Sequence, residues 1–243
     1  MRERQDRKYV AWDIETTGFT WDDQITVSGF WLPHGQAILI LNTGDQQIES
    51  NRLERELEAT SGGAPVIVHD EPDEKALLER MAQVVFNRFD REYNTLTAYN
   101  AESWKGGFDL PFVRTRCLHH GVEWMLDGIQ FADLWEPVKK RLNTTYTAHG
   151  KSDTVNSLTG AYRLLSDRLD GLRAVTDTPE EYTWYGEVQY DPFADSGSAA
   201  AHYARGDLLP VCQHNLADVH RTWELAKLVG RFVPGRDFSR KKL

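Results

Sequence analysis

Apolar positions along the chain follow two periods, and the switches between them lay out the elements. Tyr9-Val10-Ala11-Trp12 is apolar, β-branched and aromatic, and predicts a buried strand. After a turn at Trp21-Asp22-Asp23, residues 24–32 alternate Ile25, Val27 and Phe30-Trp31 with small or polar positions, a second strand. Pro33-His34-Gly35 turns the chain into Ala37-Ile38-Leu39-Ile40-Leu41, which completes a hairpin. Residues 44–63 are polar and charged and end in Ser61-Gly62-Gly63, the composition of an inserted surface segment. Pro65-Val66-Ile67-Val68 resumes as a short strand. From Asp73 the period changes. Leu77, Leu78, Met81, Val84, Val85 and Phe89 recur at helical spacing as far as about Glu92, with Pro72 ahead suited to a first turn.

The second half continues the alternation. Thr95-Leu96-Thr97-Ala98-Tyr99 predicts a strand ending at Asn100, and residues from Pro111 to about His120 a helix. Ile129-Gln130-Phe131-Ala132 is the fifth core strand, and Asp133 reads as the cap of the helical run Leu134 to Leu142. Ser157 to Leu165 predicts a short helix, and 166–197 a long irregular stretch of the length that marks a functional loop or an insertion. The last helix starts near Leu208, with Gly206-Asp207 as its cap and Pro210 in its first turn. Cys212, Leu216, Val219, Trp223 and Ala226 form one apolar stripe; His214 and Asp218 lie four apart on a different face flanked by Val211 and Leu225. A helix apolar on two sides is buried on both, so its His and Asp need partners. The whole order is that of a single α/β domain on one mixed sheet, with helices on both faces.

Composition narrows the classes. A chain of 243 residues with 40% hydrophobic positions buries a real core as one domain. No apolar run approaches the roughly 18 residues that span a bilayer, so no membrane association is expected. Residues 1–8 lack the apolar segment of a signal peptide, and Cys117 and Cys212 form no redox or metal spacing. Together these predict buried thiols in a reducing cytoplasm. The formal net charge of −9 argues against coating nucleic acid with a basic surface, but not against an enzyme whose metal ions bridge carboxylates to phosphate. Arg236, Arg240, Lys241 and Lys242 read as a solvated tail.

The chemistry lies where apolar runs end in acids. The first strand runs into Asp13-Ile14-Glu15-Thr16-Thr17-Gly18, two carboxylates one residue apart, followed by a hydroxyl and a backbone that a ligand can approach closely. Unpaired buried charge is costly, and a divalent cation removes that cost by taking oxygens from both side chains. Asp109 follows another strand and opens a helix, and Asp218 rides the last one with His214 a turn before it. Four carboxylates meeting at one strand end are what two Mg²⁺ or Mn²⁺ ions about 4 Å apart require.

These residues resemble the DEDD-type 3′–5′ exonucleases of the ribonuclease H-like superfamily. Asp13 to Gly18 matches the first motif of that family residue for residue. Tyr99-Asn100 followed by Phe108-Asp109-Leu110-Pro111-Phe112 resembles the second, and His214-Asn215-Leu216-Ala217-Asp218-Val219 the third. Two departures stand out. Residues 101–107, with Trp104-Lys105-Gly106-Gly107, separate an Asn and an Asp that the family keeps closer. The third motif pairs the spacing of Tyr-x-x-x-Asp with a histidine; Gln213 stands where His-x-x-x-x-Asp would place one.

The resemblance implies a ribonuclease H-like fold with a five-stranded mixed sheet and a two-metal hydrolysis of phosphodiester bonds from the 3′ end, DNA slightly favoured over RNA. The metal positions would be Asp13, Glu15, Asp109 and Asp218, with two Mg²⁺ or Mn²⁺ ions as cofactors. Thr17, Asn100 and Phe108 would bind the terminal nucleotide. His214 would be the general base, since neutral imidazole takes a proton from water near neutral pH whereas Tyr, with a pKa near 10, could only orient it. The implied partners are single-stranded or 3′-ended nucleic acid and a polymerase or repair protein. Two rival readings share the fold: a catalytically inactive nucleic-acid- or protein-binding module, and an endonuclease.

Overall fold

The computed structural model describes residues 8–44, 46–102, 107–148, 151–168, 191–193, 197–238 and 240–243. Its strands are β1 (Lys8–Thr16), β2 (Ile25–Trp31), β3 (Ala37–Asn42), β4 (Val66–Glu71), β5 (Asn94–Ala98), β6 (Gln130–Asp133), β7 (Thr145–Ala148), β8 (Lys151–Thr154) and β9 (Lys241–Lys242). Its helices are α1 (Ser50–Thr60), α2 (Glu74–Arg88), α3 (Asp109–His120), α4 (Trp135–Arg141), α5 (Leu158–Arg168), α6 (Gly197–Ala204) and α7 (Leu208–Phe232). Among the described residues, no helix is long and apolar enough to cross a membrane.

Seven strands form one mixed sheet in the order β4-β3-β2-β1-β5-β6-β9, so β1 is central. It pairs antiparallel with β2 (Trp12 opposite Phe30) and parallel with β5 (Val10 opposite Leu96). The five-stranded sheet that the resemblance implies is therefore extended at both edges, at one by the short strand predicted at 65–68 and at the other by a strand that was not predicted. β4 joins parallel to β3, and the two-residue β9 pairs antiparallel with β6. Lys241-Lys242 carries no apolar signal; a strand held only by backbone bonds at an edge, with lysines facing water, leaves none to find. β7 and β8 form a separate hairpin that the periodicity did not predict.

Strand alternation sorts β1 between two layers. Val10, Trp12 and Ile14 pack against Leu77, Leu78 and Met81 of α2 and Leu110, Val113 and Cys117 of α3. Ala11, on the other face, joins Leu53 and Leu57 of α1 and Val211, Cys212, Leu216, Val219 and Trp223 of α7. Beyond β6, α4 and α5 pack on the C-terminal half of α7 through Val138, Tyr162, Leu225 and Val229. Helices thus cover both faces, and α7 is buried on more than one side as its double stripe required.

The polar segment 44–63 is not structureless: it holds α1, whose apolar side is the single pair Leu53 and Leu57 one turn apart. Glu54 and Glu58 of that helix accept hydrogen bonds from the backbone N–H groups of Val68 and Val66, which occupies an otherwise open sheet edge. α2 starts as predicted, with the Asp73 carboxylate accepting from the Ala76 N–H at 2.8 Å. α7 begins after Asp207, but that carboxylate makes no cap; it pairs with His202 at 2.8 Å. Both cysteines are buried free thiols.

Candidate active site

The C-terminal end of β1 is shaped by its neighbours. Period two puts Asp13 and Glu15 on the same side as Ala11, toward α7. The register with β2 slips between Glu15 and Thr16, a bulge of the kind that re-aims side chains at a strand end. Asp13 lies opposite Gly29 of β2. A Cβ on Gly29 would fall 1.9 Å from Oδ1 of the fully buried Asn215, so only glycine lets α7 approach this closely. From there the Asn215 amide donates to Asp13 Oδ2 at 2.9 Å.

Around this strand end lies a cleft of about 390 Å³, lined by Asp13, Glu15, Thr17, Phe19, Tyr99, Asn100, Phe108, Asp109, His214 and Asp218 among others. Every site residue expected from the sequence is in that lining. Asp109 reaches it as the first residue of α3, and Asn100 from the turn after β5. Asn100 adopts a left-handed backbone, φ 63°, which costs a non-glycine residue energy and marks an over-determined position. Asp133 fixes that turn. Its Oδ1 accepts from the N–H groups of Asn100 and Trp135, and its Oδ2 from Glu102; the N-cap position of α4 falls one residue later than predicted, on Leu134, so Asp133 ties the first residue of the helix to the cleft wall and does not cap it. Residues 103–106, which include Trp104 and Lys105, lie outside the described residues.

Two of the expected nucleotide-binding residues have internal engagements. The Thr17 hydroxyl donates to Asp23 Oδ1 at 2.9 Å and accepts from the Gln24 N–H, closing the turn that carries Phe19. Phe108 stacks on Phe112 with centroids 4.5 Å apart and meets Phe19 edge-on at 5.0 Å. Phe19 itself is 76% exposed, an aromatic face offered to solvent at the cleft.

The acids repel one another strongly. Burial first, and then the charges of Glu15, Asp109 and Asp218, push Asp13 well above the ordinary carboxylate range. Glu15 is raised by burial and by Asp218 and Asp109, against the Asn215 amide. Asp109 is pushed up to about 8 by burial, Asp133 and Asp218. Burial also raises Asp218, partly offset by His214 and Arg221. A cluster whose members suppress each other's ionisation has the charge deficit that a hard divalent cation fills. Oxygen or nitrogen atoms of Glu15, His214 and Asp218 already lie within 4.8 Å of one another. The donor set fits such an ion.

Three residues that the sequence did not single out complete the site. Asp191 accepts from His214 Nδ1 at 2.8 Å, and Nη1 of the fully buried Arg221 donates to Asp191 Oδ2 at 2.7 Å and to Asp218 Oδ1 at 2.8 Å. Burial works to raise Asp191, but the hydrogen bond and charge of His214 and the Arg221 contact outweigh it and leave it at about 2. His214 is raised, burial being overcome by Asp191 and by the Asp218 and Asp13 charges. Its Nε2 faces Glu15 Oε1 at 3.8 Å and Asp218 Oδ2 at 3.9 Å. A buried arginine three residues past Asp218 was the available signal for Arg221, since a guanidinium cannot be left unpaired inside. Phe19 is the third. Three other histidines have structural settings: His120 pairs with Glu74 at 2.7 Å, His202 with Asp207, and His220 lies deep in the core, where burial lowers it to about 3.

Together these features describe a mixed α/β domain with a metal-compatible acidic cleft at the end of its central strand. No family model matches the chain. Over 235 residues it is 33% identical to the catalytic subunit of DNA polymerase epsilon from Dictyostelium discoideum, a stretch that covers 92% of this chain and 9% of that protein. The similarity is thus to a domain-sized part of a much longer polymerase.

Proposed function

We propose that the domain has a ribonuclease H-like fold and is a divalent-metal-dependent 3′–5′ exonuclease, acting on DNA in preference to RNA. The observation that carries this reading is the convergence of Asp13, Glu15, Asp109 and Asp218 with His214 in one cleft. Likeness to a DNA polymerase supports DNA as the substrate and a polymerase as a partner. All four carboxylates are retained, which favours catalysis over an inactive binding module.

Asp13, Glu15, Asp109 and Asp218 would hold two Mg²⁺ or Mn²⁺ ions, which when bound offset the charge that develops on the phosphodiester and its leaving oxygen. Asn215 orients Asp13, and Arg221 orients Asp218 by fixing its Oδ1, so that Oδ2 faces His214. Phe108 and the exposed Phe19 receive the terminal base by stacking, and Asn100 contacts the same nucleotide. A water attacks phosphorus while its proton passes to His214 Nε2. The bond from phosphorus to the 3′ oxygen of the shortened strand breaks, and that oxygen takes a proton from solvent. A single strand labelled at either end tests this, with a circle of the same sequence as control. Mn²⁺-dependent loss of the 3′ label one nucleotide at a time, with circles untouched, is expected; cut circles would make the enzyme an endonuclease.

A further inference from the structure

His214 stands where the motif of the same spacing carries a tyrosine, and a histidine there has a choice that a tyrosine lacks: either ring nitrogen can carry the proton. The surroundings of the ring remove that choice. Asp191 is buried, its side chain 2% exposed, and each of its oxygens has a partner that can only donate. Oδ1 takes the Phe193 N–H at 3.0 Å and His214 Nδ1 at 2.8 Å; Oδ2 takes Arg221 Nη1 at 2.7 Å. Phe193 also packs on the imidazole, with centroids 5.3 Å apart, so the ring is held in plane as well as in direction. On the other side, Nε2 stands 3.8 Å from Glu15 and 3.9 Å from Asp218, too far for a direct hydrogen bond and open to a molecule between them.

We propose that Asp191 is a positioning residue. It keeps the proton of neutral His214 on Nδ1, so that the Nε2 lone pair is presented to the space between Glu15 and Asp218. The inference rests on the exonuclease reading, in which that lone pair receives the proton of the attacking water. Of the stretch 166–197, residues 169–190 and 194–196 lie outside the described residues; 191–193 supply the partner that the histidine needs. Arg221 locks the arrangement, because the same Nη1 that holds Asp191 holds Asp218 and donates to Thr159.

Asp191→Asn tests this without changing shape. Asparagine has one accepting oxygen and one donating amide, whereas three donors, the Phe193 N–H, His214 Nδ1 and Arg221 Nη1, meet the two oxygens of Asp191. The charge-assisted bond to the guanidinium is the strongest of the three, so the oxygen goes to Arg221, the amide turns to Nδ1 at the expense of the Phe193 contact, and the ring proton is driven to Nε2. In the full chain with ¹⁵N-labelled histidine, at a pH where the ring is neutral, two-bond ¹H–¹⁵N spectra should show the proton on Nδ1 in the parent and on Nε2 in the variant. On a 3′-labelled strand, kcat should fall at least about tenfold while KM stays within about twofold. A residue that only filled space would leave both readouts unmoved in this isosteric variant. The same tautomer in both proteins, or equal kcat at a temperature where both are folded, overturns the inference. If the parent degrades no strand, the exonuclease reading falls, and the spectra still decide whether Asp191 sets the tautomer.

Discussion

Replacing Asp109 by asparagine removes one titrating carboxyl from the crowded cleft, and the consequence is measurable without any substrate. Asp109 titrates at about 8 in the folded chain, against an ordinary value of 3.8, because burial, Asp133 and Asp218 oppose its ionisation. The folded state therefore holds a proton that the unfolded state has released. Stability from this group is fully present below the unfolded value and is lost as pH rises through the folded one. Between about pH 6.5 and about pH 8 the linkage amounts to roughly 1–2 kcal/mol, or about 2–8 °C in Tm for a chain of this size. In chelator, the Tm of the parent should fall across that window by about this much more than the Tm of Asp109→Asn. Asp109 also raises Asp13 and Glu15, so its removal flattens their contributions too and widens the gap. Asp191, whose shift is downward, loses its stabilising effect only as pH falls below about 4, outside the window. Mn²⁺ competes with the bound protons, so its stabilisation should grow with pH. Parallel Tm–pH lines for parent and variant in chelator would refute the electrostatic account of the cleft.

Four other substitutions probe the site directly. Asp13→Ala or Asp218→Ala should abolish Mn²⁺-dependent release of a 3′ label while the circular dichroism spectrum stays that of the parent; near-parental cleavage by either would remove that acid from the machinery. His214→Ala should slow hydrolysis by about 10²–10⁴-fold at neutral pH, with a smaller deficit at higher pH where water ionises more readily, and a profile parallel to that of the parent would exclude it as the base. Gly29→Ala places a Cβ 1.9 Å from Asn215 Oδ1, so Asn215 must move. Overpacking of this kind costs about 1–3 kcal/mol, read as a lower urea midpoint, and loss of the Asn215 contact to Asp13 should lower kcat as well.

The parts of the fold legible in the sequence are those written in long apolar periods. α2 and α7 are found by their stripes, and β1, β2 and β3 by alternation or apolar runs. The acids were legible for the same reason, since Asp13, Glu15 and Asp109 break an apolar pattern at an element end and Asp218 sits on a face too apolar to leave it unpaired. Other features leave weaker traces. α1 shows one leucine pair in an otherwise polar segment, and β7 offers only the β-branched and aromatic run Thr144-Thr145-Tyr146-Thr147. Asp191 has no periodic signal at all. Its partners His214 and Arg221 lie 23 and 30 residues away on another element, and hydrogen-bond geometry across that distance is not encoded in local pattern. Gly29 was visible as a glycine inside a strand, but not that Asn215 fills the space its missing side chain leaves.

One element governs the geometry of the whole cleft. Asn215, which holds Asp13, and Arg221, which holds Asp218 and Asp191, both project from α7, as do His214 and Asp218 themselves. The close approach of that helix to β2 depends on the contact at Gly29, because Asn215 fills the space that a side chain there would take. A slide of α7 by a fraction of a turn would release Asp13 and misplace His214 and Asp218 together, since Asn215, His214 and Asp218 share one helix. The buried Arg221 resists such a slide: moving it would separate a guanidinium from two carboxylates inside the protein, at a cost of several kcal/mol. A buried ion pair adds little net stability on its own, so the reason to keep one here is register. Positioning within about half an ångström is what a site of converging charges demands, and packing that would be expendable elsewhere in the core is fixed here by that demand.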